Sequence, residues 1–152
     1  MKVTQGSQVT VELKSKSGGT FKGFIIEARS VEGNSIIGTF ETVNSDARYL
    51  KCDNVLQSAV THNSPSNKKS VGVKWNAPSD FTGSVKILAT FVKEYQTYWV
   101  KLESETLEVT STSTNAGGFV FPESSKTEAE SEPEEESGSF IHIPFCHVYE
   151  FI

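Results

Sequence analysis

The strongest constraint in this chain is a period of two. Val85, Ile87, Ala89 and Phe91 fall on one face of an extended segment, with Lys86 and Thr90 on the other. That is the pattern of a strand with one buried side. Val9, Val11 and Leu13 alternate with Thr10 and Glu12 in the same way, and Val71, Val73 and Trp75 repeat it before Asn76-Ala77-Pro78. Pro78 stops that strand, because proline has no N–H to give to a ladder. Ser17-Gly18-Gly19 and Glu32-Gly33-Asn34-Ser35 are turn signals, so strands are predicted over residues 21–28 and 36–40. Residues 98–102 and 107–110 complete the series, whereas residues 43–58 lack a clear period and are expected to carry a short helical turn. Roughly seven short strands, with no amphipathic helix of ordinary length, predict an all-β fold of the β-sandwich type.

The composition changes after residue 110. Residues 111–118 read Ser-Thr-Ser-Thr-Asn-Ala-Gly-Gly, a linker, and residues 123–139 are rich in Glu and Ser. Such a stretch buries too little apolar surface to offset the ordering of its backbone, about 1–2 kcal/mol per residue, so a disordered acidic C-terminal tail is predicted. Residues 140–152 turn aromatic again and form an atypical end. The formal charge of −5 resides in this region: residues 1–122 hold 13 basic and 11 acidic side chains, while residues 123–139 hold seven Glu against one Lys. A near-neutral body, in a chain with 14 Lys and Arg against 19 Asp and Glu overall, excludes a strongly basic nucleic-acid binder. No apolar run approaches the length of a membrane span, and residues 1–8 are too polar for a secretory leader.

Few residues suggest chemistry. His142, Cys146 and His147 lie close together, but a zinc site needs a fourth ligand and none is nearby, so no metal is expected. His62 is expected at a strand end, satisfied by hydrogen bonds rather than acting as a ligand or general base. No Ser sits in a nucleophile-elbow context, and Gly18-Gly19 lacks the Lys-Ser/Thr of a phosphate loop. No catalytic group and no cofactor are implied. Lys68 and Lys69, with Lys74, form a candidate basic patch for an acidic polysaccharide or lipid headgroup, against the simpler reading of a solvated loop. Tyr95, Tyr98 and Trp99 are a candidate stacking surface, although aromatics on a sandwich strand are more often core, and Trp99 is assigned there. Trp75 suits the central core tryptophan of an immunoglobulin-like sandwich. Cys52 and Cys146 are the two cysteines, with no C-x-x-C pair.

Ordered strings along the chain resemble a reeler (reelin-type) domain. They are Phe21-Lys22-Gly23-Phe24, Glu27-Ala28-Arg29, Gly38-Thr39-Phe40, Leu50-Lys51-Cys52 and Val60-Thr61-His62. The series continues with Lys68-Lys69, Val73-Lys74-Trp75-Asn76-Ala77-Pro78, Gly83-Ser84-Val85, Ala89-Thr90-Phe91-Val92 and Tyr98-Trp99-Val100-Lys101. The Trp-Asn-Ala-Pro and Tyr-Trp-Val-Lys strings look most like the N-terminal reeler domain of ferric-chelate-reductase-type proteins. Secreted insect-type defence proteins share much of the pattern.

The resemblance implies an extracellular or secreted immunoglobulin-like β-sandwich over residues 1–110, followed by a linker or tail over 111–139 and the atypical segment 140–152. In the reductases a DOMON domain and a cytochrome b561 part carry the haem, so no residue of this chain inherits reductase chemistry. Family members usually begin with a leader, a first strand region and a cysteine able to pair at the Cys52 position. All three would precede Met1, so the front edge is expected to be missing and Cys52 to be free or paired between molecules. The implied function is a non-catalytic binding module, the ectodomain piece of a reductase-like membrane protein. The alternative is a stand-alone secreted defence protein that binds microbial surfaces. The ligand, whether polysaccharide, lipid or protein, is not named by the residues.

Overall fold

A computed structural model describes residues 1–15 and 18–111. The linker, the acidic tail, segment 140–152 and the His142–Cys146–His147 cluster all lie outside the described residues. The described part contains ten strands: β1 (Lys2–Thr4), β2 (Gln8–Lys14), β3 (Gly23–Ser30), β4 (Thr39–Thr42), β5 (Ala47–Cys52), β6 (Val55–His62), β7 (Ser70–Asn76), β8 (Gly83–Glu94), β9 (Thr97–Glu103) and β10 (Leu107–Thr110). They form two sheets. The larger runs β1-β10-β8-β3-β6-β5, with β9 also paired to β8, and the smaller runs β2-β7-β4. All pairings are antiparallel except β1 with β10. The all-β sandwich predicted from the alternation is the observed fold.

The alternation decides what lies between the sheets. Val71, Val73 and Trp75 of β7 are buried, while Gly72, Lys74 and Asn76 on the other face are not fully covered. From the larger sheet, Phe24, Ile26 and Ala28 of β3 and Val85, Ile87 and Ala89 of β8 pack against them, with Phe40 from β4. Trp75 is fully buried and its indole N–H donates to Ile37 O at 3.0 Å. Gly38 makes this possible. Its φ is +74°, and a Cβ there would lie 2.4 Å from Asn76 O and 2.7 Å from Trp75 Nε1. Only glycine accepts both the left-handed backbone and the indole against it.

Strand β3 is buried along its whole length. On the face turned away from the Phe24–Ala28 row, Arg29 grips Glu27 through two contacts, Nε–Oε1 at 2.9 Å and Nη2–Oε2 at 3.2 Å. Arg29 Nη1 also donates to Asn34 O at 2.7 Å and lies 3.8 Å from Asp53 Oδ2. A buried ion pair is tolerated when its remaining donors are satisfied, and this one also ties two turns to the strand.

The helical turn expected within residues 43–58 is not there. That stretch holds β5 and the start of β6, joined at Asp53-Asn54 with φ of +49° and +64°. Positive φ at both central residues of a two-residue hairpin loop matches the twist of the flanking strands. The alternation was hidden because the register shifts between Leu50 and Cys52 and because Gln57, at φ +58°, breaks the period in β6. The sequence reading also passed over β1, which is too short to show a period.

Candidate functional site

The β8–β9 hairpin carries a cluster of exposed apolar side chains, apart from those on and around β5 and β6 such as Tyr49 and Leu56. Tyr95 is 93% exposed at its turn, and Tyr98, Trp99, Val100 and Leu102 are exposed along β9. This corrects the assignment of Trp99 to the core. The reason is geometric. The smaller sheet has three strands, and it covers the inner face of the larger sheet around Val85 and Ile87 but not around β9. Phe91, one alternation beyond Ala89, is therefore only half-buried.

A bulge aims two β9 side chains, Trp99 and Leu102, into the uncovered space. Phe91 pairs with Trp99 and Ala89 with Leu102, so two residues on β8 oppose a three-residue step on β9. Lys101 absorbs the extra residue at φ +53°, and its N–H bonds Thr90 Oγ1 at 3.1 Å. Trp99 and Leu102 thus share a face that strict alternation would deny them. Beneath them is a cavity of about 480 Å³. Phe21, Phe91, Trp99 and Leu102 supply its apolar walls, and Lys14, Ser15 and Lys93 border it with Gly19 and Thr20. Phe21 is locked by edge-to-face contacts with Phe91 (5.1 Å) and Phe24 (6.2 Å). The apolar floor is therefore built on rigid core residues. Lys14, the last residue of edge strand β2, pairs with Glu12 at 3.1 Å, both side chains being exposed.

The candidate basic patch does not assemble. Lys68 is buried, and its Nζ donates to the carbonyls of Lys22 (3.0 Å), Ser64 (2.7 Å) and Ser66 (2.8 Å). It is a cross-link that holds the β6–β7 loop to the segment before β3. Burial pushes the Lys68 ammonium below its ordinary pKa, with Asp46 opposing. Lys69 is exposed, while Lys74 sits on β7 directly opposite Glu41 of β4. No common surface joins the three.

His62 closes β6 as expected of a strand-end histidine. Its Nδ1 lies 3.3 Å from Phe24 N and from Phe24 O, and 3.2 Å from Thr61 Oγ1. Burial holds its pKa below the usual value, with the Phe24 backbone opposing and Lys68 and Arg48 adding to the depression. The ring packs on Gly23, where a Cβ would come within 3.1 Å of Cε1. Pro78 lies two residues beyond the end of β7 at Asn76. Cys52 is disulfide-bonded, which corrects the expectation of a free thiol. The other cysteine, Cys146, lies outside the described residues. Ser58 braces the backbone at Cys52, its Oγ accepting the Cys52 N–H at 2.9 Å.

Among the described residues, no group of three His, Cys, Asp or Glu side chains is placed to hold a metal, and no helix is long and apolar enough to cross a membrane. The residues that matter most at the cavity, Lys14, Phe21, Phe91, Lys93 and Leu102, were not singled out as a site from the sequence. The signal that pointed there was the Tyr95–Tyr98–Trp99 cluster.

Comparison with known proteins gives this architecture a family. The Reeler domain family matches residues 1–115. Ferric-chelate reductase 1 of Bos taurus is 43% identical over 100 residues, which is 64% of this chain and 16% of that protein. The chain thus spans under a fifth of the reductase relatives' length. A defense protein of Antheraea mylitta is 35% identical over 115 residues, 73% of this chain and 66% of that protein. In structure, the human F-spondin reeler domain superimposes with a TM-score of 0.60 at 23% identity, over 71% of this chain and 80% of that one. With a family match that spans the entire sandwich, the chain belongs to the Reeler domain family.

Proposed function

We propose that this Reeler domain is a non-catalytic, extracellular binding module and that it binds through the β8–β9 hairpin and the cavity beneath it. One observation carries the reading. The inter-sheet core is closed around Trp75, yet the larger sheet leaves an aromatic hairpin exposed over a concave, lysine-bordered space. Exposed aromatic surface beside a pocket is the usual mark of a recognition site. The disulfide at Cys52 suits an oxidising, extracellular setting. Similarity to ferric-chelate reductase 1 supports a role as the ectodomain part of a reductase-like membrane protein. A second reading, a secreted defence protein that binds microbial surfaces, draws on the similarity to the Antheraea mylitta defense protein and on the cationic border of the cavity.

The test is retention of the purified domain on bacterial and fungal cell-wall fractions and on animal cell surfaces. A Trp99→Ser/Leu102→Ser double variant should lose retention, while Lys69→Ala, away from the cavity, should keep it. Equal retention of a folded double variant would remove the hairpin from the binding surface. Wall-selective retention would favour the defence reading, and cell-selective retention the ectodomain reading.

A further inference from the structure

The cavity's lining also identifies a ligand class, an inference that rests on the binding reading above. We propose that it takes a single-chain anionic amphiphile as a monomer, with the acyl chain against Phe21, Phe91, Trp99 and Leu102 and the anionic head at Lys14 and Lys93. Among the described residues, nine line the space, and they include two lysines and no carboxylate. Among the described residues, Lys14 has an exposed ion-pair partner, Glu12, in a solvated pair that an incoming anion can displace. Lys93 has no ion-pair partner among the described residues, whereas Lys86 on the same strand is bound to Glu103. Lys93, beside a Lys14 held only in a solvated pair, therefore sets positive charge at the border of an apolar floor, the complement of an acyl chain that ends in an anion.

The same lining argues against other occupants. Among the described residues it contains no Asp, Glu, Asn or Gln, the side chains that would grip the paired hydroxyls of a sugar. A volume of about 480 Å³ suits a small molecule. Trp99 and Leu102 are turned by the Lys101 bulge towards this concavity, which a flat bilayer could not fill.

Tryptophan fluorescence reads the site directly. Trp75 is buried and engaged with Ile37, so a ligand in the cavity acts on Trp99, and Trp99→Phe supplies the blank. The probe is laurate below its micellar concentration, compared with butyrate and with dodecyltrimethylammonium. Laurate should shift the emission to the blue with one-site saturation, and the other two should not. Lys14→Ala and Lys93→Ala should each weaken laurate about tenfold, as expected for loss of a charge-assisted contact. Leu102→Asp, at a half-exposed position, should abolish binding while the far-ultraviolet circular dichroism stays unchanged. The proposal is overturned if laurate gives no saturable shift or if dodecyltrimethylammonium binds as well. It is equally overturned if phosphatidylglycerol vesicles shift Trp99 and monomeric laurate does not. A domain retained on cell walls through Trp99 and Leu102 but blind to laurate would lose this ligand class and keep its role as a binding module. Saturable laurate binding without retention on any surface would uphold the ligand and count against the surface-binding reading.

Discussion

The two tryptophans mark two regions built from the same pattern with opposite outcomes. Trp75 lies on a central strand flanked by β2 and β4 and faces the large sheet, so it is wholly enclosed. Trp99 lies on β9, beside a half-buried Phe91, with no strand of the small sheet over it, and is 47% exposed. Both sit among alternating or apolar residues, so local pattern does not separate them. Whether a second layer exists above the strand does. The difference shows where this fold invests in stability and where it keeps apolar surface available to a ligand.

That contrast is broken most forcefully at the enclosed end. Trp75→Ala deletes the largest fully buried side chain and orphans Ile37 O, and should cost about 3–5 kcal/mol of unfolding free energy in urea titrations. Gly38→Ala probes the same enclosure from the backbone. The left-handed φ alone costs about 1–2 kcal/mol, and the clash with Asn76 O and the indole should bring the total above roughly 3 kcal/mol. Gly33 makes a clean control, since its φ is +75° but the nearest atom to a Cβ is Ser35 Oγ at 3.9 Å. Gly33→Ala should therefore show the backbone cost of about 1–2 kcal/mol without the clash.

Lys68 is next in size. Lys68→Met preserves the stem but leaves three carbonyls without their donor, and about 2–3 kcal/mol of stability should disappear. Had Lys68 belonged to a surface patch, the same change would be nearly neutral. His62 adds a pH-dependent effect. Its folded pKa is depressed below 6.5, chiefly by burial, so the unfolded chain binds the proton more readily. Stability should be complete above pH 6.5 and decline as pH falls below it, with a slope under the one-proton limit of about 1.4 kcal/mol per pH unit. Chemical denaturation at stepped pH checks this, and His62→Gln should flatten that part of the profile.

How much of this was legible beforehand depends on what each residue needed. Trp75, Val85 and Ile87 needed only a period of two and a stop signal at Pro78, both of which are local. The strand β5 was missed because a register shift at Leu50–Cys52 and the positive φ at Gln57 erase the period, and neither leaves a mark on residue type. Lys68 read as surface because lysine almost always is. Its burial depends on three carbonyls, two of them from a loop folded back over the side chain. The cavity was least legible of all, since it combines the end of β2, the segment before β3 and the β8–β9 hairpin. The aromatic cluster pointed to the right hairpin, but the absence of a covering strand is a property of the assembled sheets.

The smallest expected effect is the most discriminating. Trp99→Ala removes as much side chain as Trp75→Ala, so any account based on residue type or strand membership predicts comparable losses. Exposure predicts otherwise. Because nearly half of Trp99 already meets water and no hydrogen bond holds its indole among the described residues, the change should move stability by only about 0.5 kcal/mol. The measurement is the shift in urea midpoint at unchanged slope. A loss above about 2 kcal/mol would mean that Trp99 serves as core in solution, and the cavity would then be closed rather than available. A near-neutral result, together with lost retention on surfaces, would place the cost of Trp99 in binding and that of Trp75 in folding.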